Sequence, residues 1–120
     1  MEQALRIARA LADESRLRAL AALRTGDLCL SQMVHVLELS PSTVSKHMDV
    51  LVQAGLVEVK REGKWRYYRL PHLVGGGLSR RALAWALAGL RPLDHGSAET
   101  VRAIQARCRP REELTACYRS

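Results

Sequence analysis

The stretch Leu39-Ser40-Pro41-Ser42-Thr43-Val44-Ser45-Lys46-His47-Met48, continued by Asp49-Val50-Leu51-Val52-Gln53-Ala54-Gly55, decides how the rest of the chain is read. Ser40 is suited to cap a helix, and Pro41 fits the first helical position, where its missing N–H removes nothing the helix would use. The expected helix covers about residues 41–54, and Gly55 ends it. At about 100° per residue, Val44, Met48, Leu51 and Val52 turn inward. Ser42, Lys46, Asp49 and Gln53 face away, with Thr43 and Ser45 at their flanks. A helix with an apolar back and a small, polar and basic front can rest on a core while its front enters the major groove of a duplex.

Working outward, Ser31 is expected to cap a preceding helix that carries Met33, Val34, Val36 and Leu37. Two helices joined by a tight turn make a helix-turn-helix unit. Further upstream, residues 3–12 read as a helix with Leu5, Ala8, Leu11 and Ala12 on one face. Asp13 caps a second helix, with Leu17, Leu20, Ala21 and Leu23 recurring at helical spacing until Thr25-Gly26 stops it. Leu28-Cys29-Leu30 is a short extended piece.

Downstream of Gly55 the period changes. Val57 and Val59 alternate with Glu58 and Lys60, Arg61-Glu62-Gly63-Lys64 reads as a turn, and Trp65-Arg66-Tyr67-Tyr68-Arg69-Leu70 returns. Arg61, Lys64 and Arg66 make this hairpin a basic wing placed to touch phosphates or the minor groove beside the reading helix. A breaker, Gly75-Gly76-Gly77, leads into a helix at about 78–90. After a loop at 91–96, Ser97 can cap a last segment with Val101, Ile104 and Cys108 in register, interrupted at Pro110. The expected fold is therefore mainly α with a β-hairpin wing: a winged helix-turn-helix domain with flanking dimerisation helices. Residues 1–95 are assigned to DNA binding and dimerisation, and 96–120 to a C-terminal helical extension.

Composition agrees with that outline. The chain has 120 residues, 48% hydrophobic and 26% charged, which suits one folded domain. Phe is absent, so the core must be built from Leu, Val and Ala. Nineteen Lys and Arg against twelve Asp and Glu give a net charge of +7, which favours a polyanionic partner. No apolar run approaches the roughly 20 residues that cross a bilayer, and the first residues lack a basic, then apolar, leader, which points to the cytoplasm. No helix pairs a basic face with a bulky aromatic one, so a membrane surface is the weaker partner. Nothing supports an enzyme: there is no phosphate-cradling glycine loop, nucleophile elbow or His-Glu-x-x-His. RNA is disfavoured for want of an aromatic stacking platform. A protein-interaction module that has lost DNA binding stands as an alternative, opposed by the basic wing and the hydroxyl-rich reading face.

Residues 8–70 resemble the ArsR/SmtB family of bacterial winged-helix repressors. The resemblance is carried by Leu11-Ala12-Asp13-Glu14-Ser15-Arg16-Leu17-Arg18, Gly26-Asp27-Leu28-Cys29-Leu30, residues 39–48, Ala54-Gly55-Leu56-Val57 and the wing from Arg61 to Leu70. It implies a homodimer that binds a double-stranded operator and is released by an inducer, often a metal ion or metalloid. It also places His47 near the DNA backbone, beside the groove-facing set Ser42, Thr43, Ser45 and Lys46. The blander reading of His47 is a half-buried helix residue, and that of Arg61, Lys64 and Arg66 is a solvated surface. The Ala- and Leu-rich terminal helices, 3–12 and 78–90, are expected to pack against a symmetry mate rather than only closing their own core.

The inducer is where the chain departs from the family. Arsenic-responsive members place Cys-x-Cys where this chain has Cys29-Leu30-Ser31, some with a third thiolate at the position of Val34. Trivalent arsenic and other thiophilic ions require two or three thiolates, and a serine hydroxyl does not ionise near neutral pH. A complete site would recruit Cys108 or Cys117, which lie nine residues apart and so on opposite faces of an unbroken helix, about 180° from each other. Pro110 can bend that segment. The alternatives are a small apolar core role for Cys108, thiol oxidation, or a harder cation at Asp94-His95; His35 and His72 are expected to be solvated. DNA binding itself implies no cofactor.

Overall fold

A computed structural model describes residues 1–90 and 102–103. Along them run α1 (Glu2–Leu11), α2 (Glu14–Leu23), β1 (Leu28–Cys29), α3 (Leu30–Leu37), α4 (Pro41–Gln53), β2 (Glu58–Glu62), β3 (Trp65–Arg69) and α5 (Leu78–Gly89). The mainly helical layout with a hairpin wing matches the expectation from sequence. Residues 91–101 and 104–120, which include the expected last segment, Asp94-His95, Cys108, Pro110 and Cys117, lie outside the described residues.

Leu20, Met33, Val36, Leu37, Val44, Met48, Leu51 and Leu56 meet in one core from which water is excluded. Each such side chain contributes roughly 1.5–3 kcal/mol relative to exposure. Ala19 and Ala22 are fully buried among them, and these small side chains take the place of the missing phenylalanines in filling the gaps between helices. Ala103 joins the same core, and the neighbouring Arg102 pairs with Glu38 at 2.6 Å. Glu38 ends α3 with a φ of 57° and so makes the sharp turn into α4.

The ends of α4 follow the expected logic. Ser40 Oγ accepts from the Thr43 N–H at 3.3 Å, and Pro41 opens the helix. At the other end Gly55 takes a φ of 79°, while the N–H groups of Gly55 and Leu56 bond to the carbonyls of Val52 and Leu51. That pair of bonds is a Schellman closure, and only glycine adopts the left-handed φ without strain. Val52, expected to face inward with Val44, Met48 and Leu51, is only half-buried.

Three local expectations are corrected. Cys29, not Ser31, caps α3: Gln32 Oε1 accepts from the Cys29 N–H at 2.9 Å. Cys29 is also the last residue of β1, which pairs with β3 in the register Leu28 to Tyr68 and Cys29 to Tyr67, so the helix begins directly after it at Leu30, earlier than expected, and Ser31 falls inside its first turn. The wing turn is narrower than Arg61–Lys64. Glu62 pairs with Trp65, leaving Gly63 and Lys64 as a two-residue loop in which Gly63 takes a φ of 60°. Finally, α1 buries Ile7 and Ala10, whereas Leu5 and Ala8 are exposed. That helix has two apolar sides, and only the one with Ile7 and Ala10 enters the core.

Candidate nucleic-acid interface

The reading face follows from how α4 is seated. Val44, Met48 and Leu51 are fully buried, so the opposite side of a straight helix must face solvent. Ser42, Lys46, Asp49 and Gln53 are exposed there, and Thr43 and Ser45 are half-buried at the edges. At its first turn Ser40 Oγ donates to Thr43 Oγ1 at 2.8 Å and lies 3.4 Å from Ser42 Oγ. Three hydroxyls thus gather at the positive end of the helix dipole, where a phosphate oxygen is favoured.

The wing is the β2–β3 hairpin of a three-stranded antiparallel sheet ordered β1-β3-β2, with β3 central and β2 at the free edge. Arg61 and Lys64 are exposed, and Arg66 lies directly opposite Arg61 in the strand register. Like charges directly opposite repel, and the buried Arg66 Nε has no hydrogen-bond partner among the described residues. An anion between the two guanidinium groups would relieve both costs. Lys60, by contrast, is already paired with Glu62 at 3.5 Å.

The base of the wing is held from two sides. Glu58 accepts from Arg69 Nε at 3.2 Å and pairs with Arg80 of α5 at 3.6 Å. Gly76 makes room for this link, because a Cβ there would overlap the Arg80 stem. Burial pushes the Tyr68 hydroxyl above its ordinary range; Arg66 opposes that and Asp49 adds to it, so it stays neutral at physiological pH.

His47 is half-buried, and its Nδ1 lies 3.1 Å from Arg16 Nη1. Arg16 is the residue that pattern reading passed over. Its Nε and Nη2 also donate to the carbonyls of Ala10 and Arg9, at 2.8 and 2.9 Å. Its acceptors are backbone groups of another helix and a side chain 31 residues away, so no sequence spacing could have revealed them.

On a different side, Ala4, Ala8, Leu11, Leu78, Ala82 and Trp85 line an apolar cleft of about 920 Å³ between α1 and α5. Trp85 is 72% exposed at its edge. The expected dimerisation helices therefore do present apolar side chains outward.

The thiol site is incomplete among the described residues. Cys29 is buried, with its Sγ 3.1 Å from Ser31 Oγ. No group of three or more His, Cys, Asp or Glu side chains converges there or elsewhere among the described residues. His35 is half-buried and His72 is exposed.

Comparison with known proteins places this geometry. Residues 13–59 match the model of the arsR family of bacterial regulatory proteins. An arsenic resistance transcriptional regulator from Pseudomonas putida is 44% identical over 61 residues, covering 50% of this chain and 48% of that protein. The arsenical resistance operon repressor of Escherichia coli is 38% identical over 65 residues, covering 52% of this chain and 56% of the repressor. The matched region thus spans about half the length of these relatives. The homodimeric winged helix-turn-helix DNA-binding domain of Mb0332 from Mycobacterium bovis, described as a possible ArsR-family transcriptional regulator, superposes with a TM-score of 0.59. It is 30% identical, over 79% of this chain and 86% of that one. These relatives are transcriptional regulators, not enzymes. The chain belongs to the arsR family of bacterial regulatory proteins.

Proposed function

We propose that the chain acts as a homodimeric repressor that binds an operator through α4 and the wing and leaves it when an inducer binds. The observation that carries this reading is the sidedness of α4. A helix whose one row is locked in the core exposes Ser42, Lys46 and a hydroxyl-rich N-terminus, and the wing sets Arg61 opposite Arg66, whose buried Nε has no partner among the described residues. In this reading Ser42, Thr43, Ser45 and Lys46 meet base edges or phosphates, His47 meets the backbone, and Arg61, Lys64 and Arg66 hold phosphates. Dimerisation uses the α1/α5 cleft, because one reading helix covers too few base pairs for useful specificity. Residues 1–95 form the binding and dimerisation unit, and 96–120 the extension that brings Cys108 and Cys117.

A mobility-shift titration at two salt concentrations tests the DNA assignment. Lys46→Ala should weaken binding to the preferred duplex most, and Lys64→Ala should weaken all duplexes and flatten the salt slope by about one unit. Unchanged binding in both variants defeats it, in favour of an interaction module that kept the fold.

For the inducer we assign a thiophile, with trivalent arsenic first, supported by the arsenic-resistance roles in the relatives' names. Cys29 and Ser31 do not fit such an ion by themselves, since one thiol and one hydroxyl fall short of its needs. Cys108 and Cys117 must complete the set. The second reading is thiol oxidation, which needs only one sulfur, although the burial of Cys29 opposes it because an oxidant must reach the thiolate. Release should be measured with trivalent arsenic, antimony, zinc, cadmium and an oxidant, for wild type and each Cys→Ser variant. Arsenic release lost in all three variants supports the first reading, and release by oxidant alone supports the second. No release by any agent removes both and leaves the DNA assignment standing.

A further inference from the structure

We propose that Arg16 is a positioning residue for DNA recognition: its guanidinium donates to Nδ1 of His47 and so selects the tautomer with the proton on Nε2, and α4 offers that N–H to a DNA phosphate oxygen. The proposal rests on the DNA-binding reading above and adds how one of its contacts is set.

The chemistry begins with what a guanidinium can do. It carries donors only and keeps its charge throughout the physiological range. Arg16 Nη1 lies 3.1 Å from His47 Nδ1, so Nδ1 is the acceptor and carries no proton. A neutral ring then bears its proton on Nε2, at the ring edge pointing away from Arg16. A protonated ring would set N–H against N–H and two like charges in contact.

The guanidinium is itself fixed. Nε donates to the Ala10 carbonyl at 2.8 Å and Nη2 to the Arg9 carbonyl at 2.9 Å, both in the last turn of α1. Those carbonyls form the negative end of the α1 dipole and favour a cation there. One side chain of α2 thus ties the end of α1 to the flank of α4.

Other charges surround the pair. The Asp13 carboxylate, at the start of α2, is 4.0 Å from Arg16 Nη2. It is already engaged by the Arg16 backbone N–H at 3.2 Å, whereas the guanidinium is in direct contact with the ring. Arg9 of α1 and Asp49 of α4 line the adjoining groove together with Arg16, and Lys46 precedes His47 on its own helix. Of these groups, Arg16 is the one in hydrogen-bond contact with a ring nitrogen of His47.

A neutral donor has a signature that a cation lacks. It adds affinity for phosphate without releasing a counterion, so its loss leaves the salt slope unchanged. Two measurements test this on the full chain. First, ring nitrogen-15 spectra near neutral pH, assigned by difference from His47→Gln, should show the proton on Nε2; a proton on Nδ1, or on both nitrogens, overturns the proposal. Second, affinity is measured for a duplex selected by the wild type from a random pool. Arg16→Met and His47→Ala should each weaken binding about tenfold, the scale of one hydrogen bond to a charged group, with the slope unchanged. The double variant should be no weaker than either single one. His47→Gln, which keeps an acceptor for Arg16 and a neutral N–H, should stay within about threefold of wild type. Additive losses, or a slope lowered by about one unit in His47→Ala, overturn the proposal. If Arg16→Met fails to fold, the wild-type ring spectrum and the His47 pair still decide. If the wild type selects no duplex at all, the DNA reading fails first, and the spectrum reports on the Arg16–His47 contact separately.

Discussion

Helices α4 and α5 are almost the same length, 13 and 12 residues, and each sinks apolar side chains into the one core. What they leave outside is opposite. Outside α4 are Ser42, Lys46, Asp49 and Gln53; outside α5 are Leu78, Ala84, Trp85 and Ala88, with Arg81 also exposed on that helix. The first surface is at ease in water and suits a polyanion, while the second loses free energy until something apolar covers it. One fold therefore carries two surfaces of different physics, and the proposal gives the first to DNA and the second to another subunit.

The comparison breaks most severely if the inner rows are not equivalent. Leu51 of α4 and Leu83 of α5 are both fully buried. Truncating either to Ala should cost about 2–5 kcal/mol, read as a fall in the denaturation midpoint. A small loss for Leu83 alone would mean that α5 is only lightly docked and that its outer face is not held rigid for a partner.

The outer rows should separate cleanly. Trp85→Asp should weaken self-association by at least about 2 kcal/mol, as expected for a tryptophan at the centre of an interface, and should leave the monomer fold intact by circular dichroism. Sedimentation at several concentrations reads this directly. Self-association equal to the wild type would move the dimer face elsewhere.

How much of this was legible beforehand depended on the range of the deciding contact. The seat of α4 was readable because Ser40, Pro41 and Gly55 set its ends locally and Val44, Met48 and Leu51 set its inner row. The wing was readable from Gly63 and the alternation around it, although the turn closed more tightly than its charged residues suggested. Other features depended on partners far along the chain. The cap of α3 moved to Cys29 once β1 paired with Tyr67 and Tyr68 of β3. The inward side of α1 was ambiguous because Ile7 and Ala10 compete with Ala4, Ala8 and Leu11, and only the positions of α2 and α5 choose between them. Arg16 gave no pattern at all. Even the left-handed turn at Glu38 uses a residue type that no turn rule prefers.

A smaller effect tests the joint between the two helices. Gly55, at a φ of 79°, closes α4, and a Cβ there would approach the Ser79 side chain of α5 to 3.1 Å. Gly55→Ala should cost about 1–2 kcal/mol from the backbone strain alone. Pairing it with Ser79→Gly asks whether that contact matters: partial recovery in the double variant assigns part of the loss to the joint, and none assigns it all to φ.

The smallest effect belongs to Asp13, whose carboxylate accepts from the Arg16 N–H at the start of α2. Burial by itself would push this carboxyl up. The Arg16 N–H, the Arg16 guanidinium and the Ser15 N–H together outweigh it and hold the group below the ordinary aspartate range. A folded-state value below the unfolded one means that the contribution is complete above about pH 4 and fades as pH falls through the folded value. Asp13→Ala should therefore cost about 0.5–2 kcal/mol at neutral pH, the usual loss of an N-cap. The gap between variant and wild type should narrow steadily as the solution is acidified below about pH 4, which urea denaturation at stepped pH would follow. A gap that stays constant into acid would show that the Asp13 carboxylate is not what secures the start of α2, and the α1–α2 corner that supports Arg16 would then rest on the carbonyls of Arg9 and Ala10 alone.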